Sequence, residues 1–154
     1  MPIVNPIIFL DIDGVLNSHS DFSDDFREPT PVPLRIGPVQ NLRSLLRTVD
    51  GRIVISSTWR MKMRPNPVLC PVRRSLDRFG IDSSLIIGRT GDVGERGRQI
   101  LDWVREHRPA KWVVLDDNSN DFDDHREVMK RFIWVNSKNG LTVSNVDKAI
   151  AIIG

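Results

Sequence analysis

The sequence predicts an α/β fold in which a mostly parallel sheet carries helices on both faces. Three observations predict it. Short apolar runs at residues 3–11, 52–56 and 111–115 have the length and the β-branched content of buried strands. Stretches with helical periodicity separate them. Each run also stops at polar groups: Asp11 and Asp13, then Ser56 and Ser57, then Asp116 and Asp117. A single polar tip is ordinarily a solvated strand end or a helix cap, but in a parallel sheet all three tips share the edge where such sheets bind ligands.

The first strand draws on Ile3, Val4, Ile7, Ile8, Phe9 and Leu10, and Gly14 lets the chain turn sharply after the two aspartates. Residues 18–38, with Asp21, Asp24, Asp25, Glu28 and four prolines, read as a surface loop or flap. Residues 38–49 then place Val39, Leu42, Leu45, Leu46 and Val49 on one helical face, with Pro38 in the first turn. The second strand, 52–56, runs into Ser56, Ser57, Thr58, Trp59 and Arg60.

Residues 61–93 are broken by prolines and glycines, with a short helix at 71–79 and an apolar run at Leu85, Ile86 and Ile87. A helix at 95–107 turns Ile100, Trp103 and Val104 inward and stops before Pro109. The third strand follows, then a strand at 132–135 and a helix at 143–153. The chain reads as one domain, 1–154, with short inserts at 17–37 and 61–89.

Composition narrows the class. A chain of 154 residues with 40% hydrophobic and 27% charged content can bury a proper core. Its net charge of +2 suits a phosphorylated or nucleic-acid substrate without requiring one. A lone cysteine, Cys70, allows no internal disulfide and is expected to be buried and inert, so a reducing cytoplasm is the default. No signal peptide or membrane-spanning run is evident, and no membrane partner is expected. His19, His107 and His125 show no metal-ligand spacing and are expected to be solvated surface residues.

The tips permit a specific chemistry. Alternation along an extended chain points Asp11 and Asp13 to the same side, where two converging carboxylates need a cation or a shared proton. The expected resident is a hard divalent ion such as Mg²⁺, with an acidic pair at Asp116 and Asp117 completing its coordination alongside Asp11. Phosphomonoester hydrolysis needs a nucleophile, a proton donor for the leaving oxygen and positive charge around phosphorus. Asp11 and Asp13 can supply the first two. Ser56 can bond the transferring group, and an arginine from the helix before the third strand can hold its charge.

These strings resemble the haloacid dehalogenase (HAD) superfamily of phosphohydrolases. Its four motifs match at Asp11–Leu16, at Ile53–Ser56, at Arg96 or Arg98, and at Val113–Asp121. The runs FLDIDGVLN, ISSTWR, RGRQILDWV, VVLDD and NGLT further resemble the small HAD domain of bacterial and phage RNA-repair proteins. The resemblance implies a Rossmann-like three-layer sandwich without a full cap domain, with Mg²⁺ as cofactor.

It also implies residue roles. Asp11 is the nucleophile that forms an aspartyl-phosphate; Asp13 is the general acid and base and lends a backbone carbonyl to the metal. Ser56, with Ser57 beside it, binds phosphoryl oxygens. Arg96 is the favoured cation, with Arg98 a close second, where the superfamily usually has lysine. Asp117 is favoured as the direct metal ligand, Asp121 supports it through water, and Asp116 is its neighbour.

Neither insert is long enough for a cap, and an open site suits a bulky substrate. The expected one is a terminal phosphate on a nucleotide or nucleic acid, with Asn17, Trp59 and Arg60 as candidate contacts. An indole beside an apolar strand, such as Trp59, is more often a core residue than a substrate contact. Arg60, Lys62, Arg64, Arg73, Arg74 and Arg78 form either a phosphate-backbone surface or a solvated basic face. The alternative function is a receiver-like, phosphate-binding regulatory module without turnover. Receivers, however, place the acidic pair and the phosphoacceptor on different strands, whereas here Asp11 and Asp13 sit together on the first.

Overall fold

The computed structural model describes residues 3–18, 33–56 and 71–154. In chain order the elements are β1 (Ile7–Leu10), α1 (Ile36–Val49), β2 (Arg52–Ile55), α2 (Pro71–Arg78), a 3₁₀ turn (Ser83–Leu85), β3 (Ile86–Arg89), α3 (Arg96–His107), β4 (Trp112–Asp116), α4 (Arg126–Met129), β5 (Phe132–Trp134) and α5 (Val143–Ile153). The five strands form one sheet, β3-β2-β1-β4-β5, and every neighbouring pair is parallel.

Alternation along the strands sorts the core into two layers. Ile8, Leu10, Ile53, Ile55, Val113, Leu115 and Ile133 face one side, against residues of α1, α2 and α5 such as Leu42, Leu76 and Ala149. Ile7, Phe9, Val54, Trp112 and Val114 face the other, against Ile100 and Trp103 of α3 and Val128 of α4. Phe9 meets both Trp103 and Trp112 edge-on, at centroid distances of 5.5 and 5.7 Å. The result is a three-layer, Rossmann-like sandwich.

Several expected boundaries shift. β1 starts at Ile7 rather than residue 3, because Pro6 has no N–H for the ladder; its carbonyl accepts from the Arg52 N–H, and pairing to β4 starts with Ile7 N–H donating to Lys111 O. Val4 is left exposed. α1 begins at Ile36, so the expected flap ends at Arg35, and its residues 19–32 lie outside the described ones, as do His19 and Cys70.

The expected second insert, 61–89, is described from residue 71 on. Its residues 71–89 form α2, the 3₁₀ turn and β3, and β3 is the edge strand paired with β2. Arg73 is part of that scaffold: its guanidinium donates to Ser83 O at 2.8 Å and Ile86 O at 3.2 Å, tying α2 to the start of β3. It therefore drops out of the expected basic surface. Arg74 and Arg78 are exposed, and Arg60, Lys62 and Arg64 lie outside the described residues. The four-residue α4 was not anticipated.

The connections through α1 and α2 build the sheet outward from β1 in one direction, and α3 returns the chain to its other side at β4. The strand order thus reverses between β1 and β4, and the crevice beyond their carboxyl ends is where such sheets take ligands.

Candidate active site

Register sets the site. Leu10 lies opposite both Ile55 and Leu115, so the next residues on the three central strands, Asp11, Ser56 and Asp116, stand level. Backbone bonds hold them there: Asp11 N–H donates to Leu115 O at 3.1 Å and Ser56 N–H to Leu10 O at 2.9 Å. The alternation that sends Phe9, Val54 and Val114 toward α3 sends these three the same way. All are buried.

Arg96, the first residue of α3, completes the group. Its Nη1 donates to Asp116 Oδ2 at 2.9 Å and lies 3.6 Å from Asp11 Oδ1. Arg98 does not join it; its Nε faces Asp102 at 3.8 Å on the exposed side of the helix. Gly97, between them, is what lets α3 come this close. A Cβ there would collide with the His125 ring and sit 3.0 Å from Asp121 O, which accepts the Gly97 N–H.

The turn after β1 is built with equal economy of space. Gly14 has φ +83°, and a Cβ on it would collide with the Asp117 carboxylate. Its N–H donates to Asn17 Oδ1 at 3.0 Å; Asn17 Nδ2 donates to Pro33 O at 2.8 Å and, at a long 3.4 Å, to Asp13 Oδ1. Asn17 was expected to touch substrate. It is instead fully buried, with both ends of its amide used to hold the turn.

Carboxylate oxygens of Asp11, Asp116 and Asp117 lie within 4.8 Å of one another. Asp13 is not in this set; its side chain sits in the turn beside Asn17. Burial pushes the Asp11 carboxyl well above its usual range, the Asp116 charge adds to the rise, and Arg96 partly offsets it. Asp116 is raised to about 6, mainly by burial, against the stabilising Arg96 charge and the Asn118 N–H that it accepts at 2.9 Å. Burial disfavours the Arg96 charge, but Asp11 and Asp116 outweigh it and keep the guanidinium protonated.

Three carboxylates face one guanidinium, so ionising all of them is costly without a further cation, as the raised Asp11 and Asp116 carboxyls reflect. All the donors are hard oxygens, so the residues present fit a divalent cation such as Mg²⁺. Ser56 Oγ, buried at the same level, has no hydrogen-bond partner among the described residues. A buried hydroxyl left unpaired is costly unless a ligand meets it.

Two histidines depart from the expectation of solvated surface groups. His125 is half-buried against Gly97, with Nε2 3.5 Å from Glu95 Oε2. His107 stacks on Trp103 at 4.0 Å, and its Nδ1 lies 3.0 Å from Trp103 O. The His107 contact is the i,i+4 pairing of α3 itself, whereas the His125 contact depends on how α3 packs and has no local sequence signal. The expected contacts Ser57, Trp59 and Arg60 lie outside the described residues.

A parallel sheet whose central strand ends in an aspartate, with an acidic strand tip beside it and an arginine reaching over from the crossover helix, defines a HAD-type α/β domain. The family described as "HAD domain in Swiss Army Knife RNA repair proteins" matches residues 7–146, and the chain belongs to that family. Comparison with curated proteins gives no match. At the superfamily level this is a phosphatase-like hydrolase domain. No helix among the described residues is long and apolar enough to cross a membrane.

Proposed function

We propose that the chain is a Mg²⁺-dependent phosphomonoester hydrolase acting through an aspartyl-phosphate on Asp11, with terminal phosphates of nucleotides or nucleic acids as its substrates. The observation that carries this reading is the convergence of Asp11, Asp116, Asp117 and Arg96 at the strand-order reversal. The family's description, which names RNA repair, supports the substrate class.

Asp11 attacks phosphorus with a carboxylate oxygen; the bond from phosphorus to the leaving oxygen breaks, and Asp13 gives that oxygen its proton. Asp13 then takes a proton from the water that hydrolyses the acyl phosphate, which restores Asp11. Ser56 Oγ donates to a phosphoryl oxygen, and Arg96 balances charge there. Asp11, Asp117 and the Asp13 carbonyl would hold the ion with Asp121 in support, and Asp116 fixes Arg96 beside them. When bound, the ion neutralises repulsion between phosphate and carboxylate.

The test is p-nitrophenyl phosphate turnover in Mg²⁺ buffer. Asp11→Asn should abolish it with the circular dichroism spectrum unchanged, and chelator should abolish it in the wild type. Full turnover in either case overturns the mechanism.

A further inference from the structure

We propose that Trp134 is the platform on which the base of a nucleotide stacks while its phosphate occupies the Asp11 site. This rests on the function proposed above and adds a specificity-determining residue to it.

β5 pairs with β4 so that Trp134 stands opposite Asp116, on the same sheet edge and one strand away. Its strand neighbours do core work: Ile133 is buried and Phe132 packs against Phe122 at 4.9 Å. Trp134 is 57% exposed, yet it is not loose. Its Nε1–H donates to Asp117 O at 3.0 Å, its own carbonyl accepts from Asn145 Nδ2 at 3.3 Å, and the next N–H, from Val135, donates to Asp116 O at 2.9 Å.

The indole is therefore held against the backbone of a residue whose carboxylate belongs to the acidic cluster. Its one polar group is already satisfied, so what it offers is a flat apolar π-surface. Scattered exposed apolar residues are ordinary. An indole pinned by its N–H to the loop carrying Asp117 is better explained as a fixed stacking surface. A nucleobase fits it, because every base has a π-face and a nucleotide separates base from phosphate by one sugar. The contact is sequence-tolerant, as an end-processing site requires.

The experiment is isothermal titration of nucleoside 5′- and 3′-monophosphates, and of ribose 5-phosphate, into Asp11→Asn protein in Mg²⁺ buffer. A nucleotide should bind more tightly than ribose 5-phosphate by roughly 5- to 150-fold, the range of one base-aromatic stack. Adding Trp134→Ala should erase that preference while leaving ribose 5-phosphate affinity unchanged. Trp134→Phe, which also lacks the bond to Asp117 O, should keep most of it. Equal affinity for nucleotide and ribose 5-phosphate overturns the stacking and leaves the phosphatase reading intact. A preference that survives Trp134→Ala, or a loss shared by ribose 5-phosphate in both variants, assigns Trp134 to anchoring or to another partner and also overturns it. If no ligand binds, the phosphate-site reading fails and the stacking with it.

Discussion

Arg96 donates to Asp116 across 2.9 Å, fastening the first residue of α3 to the tip of β4. The same Nη1 reaches toward Asp11 at 3.6 Å, so one guanidinium serves both sides of the strand-order reversal. Arg96→Ala should lower kcat/KM for phosphomonoesters by roughly 100-fold or more, the scale of losing one charge-stabilising donor. Arg96→Lys should recover part of this, since it keeps the charge but not the reach and fixed geometry of the guanidinium. Arg98→Ala should stay within about twofold, because an exposed pair with Asp102 contributes little. Steady-state kinetics on the three variants decides it; equal losses at Arg96 and Arg98 would reopen the choice of cation.

The acidic cluster predicts an unusual pH profile for metal-free protein. Asp116 is raised from 3.8 to about 6, and Asp11 is raised well above its ordinary value, both chiefly by burial. Between the unfolded and folded values the native state binds more protons than the unfolded one, so stability falls as pH rises through that window. The contribution is fully present below the unfolded value and gone above the folded one. Asp82, lowered by the Ser84 N–H, acts in the opposite sense and only at lower pH. Urea midpoints without metal should therefore be higher at pH 5 than at pH 7.5, and Mg²⁺ should narrow the gap. A metal-free midpoint that rises over this range contradicts the assignment.

Asp116 and Asp117 should differ in their effect on the ion. Asp116 is occupied by Arg96 and the Asn118 N–H, while the Asp117 carboxylate sits directly over Gly14 at the turn after β1. Asp117→Asn should weaken Mg²⁺ binding more than Asp116→Asn, by roughly 10-fold or more, in line with losing a ligand rather than its support. Titration of Mg²⁺ into both variants measures it, and the reverse order would make Asp116 the direct ligand.

What could be read from the sequence follows from where its signals are local. Asp11, Ser56 and Asp116 stand out because each ends a strongly apolar run, and parallel register then makes them level. β3 gave only an ambiguous apolar run, since Ile86–Arg89 is four residues long, contains Gly88 and owes its strand to pairing with β2. The burial of His125 could not be read at all, because it comes from the close approach of Gly97. Asn17 looked available as a polar residue beside the aspartates, and only the fold shows its amide consumed by Gly14 and Pro33. Trp134 carried no motif; a tryptophan at the end of a short strand after the acidic pair was its only signal.

Gly97 gives the sharpest test of how the site is assembled. Replacing a helical glycine by alanine ordinarily stabilises by about 0.4–1 kcal/mol, through the unfolded chain. Here the added Cβ would collide with the His125 ring and crowd Asp121 O, so α3 must lift or His125 must move. Gly97→Ala should therefore destabilise, by about 1–3 kcal/mol as for other overpacked positions. Lifting α3 would also draw Arg96 from Asp116, so kcat/KM should fall in protein that is still folded. His125→Ala removes the obstructing ring, and adding it to Gly97→Ala should restore much of both stability and activity, a coupling that independent effects would not produce. Thermal melts and p-nitrophenyl phosphate kinetics on the two single variants and the double would measure it. A stabilised, fully active Gly97→Ala would show that the close approach of α3 to the 121–125 segment does not position Arg96.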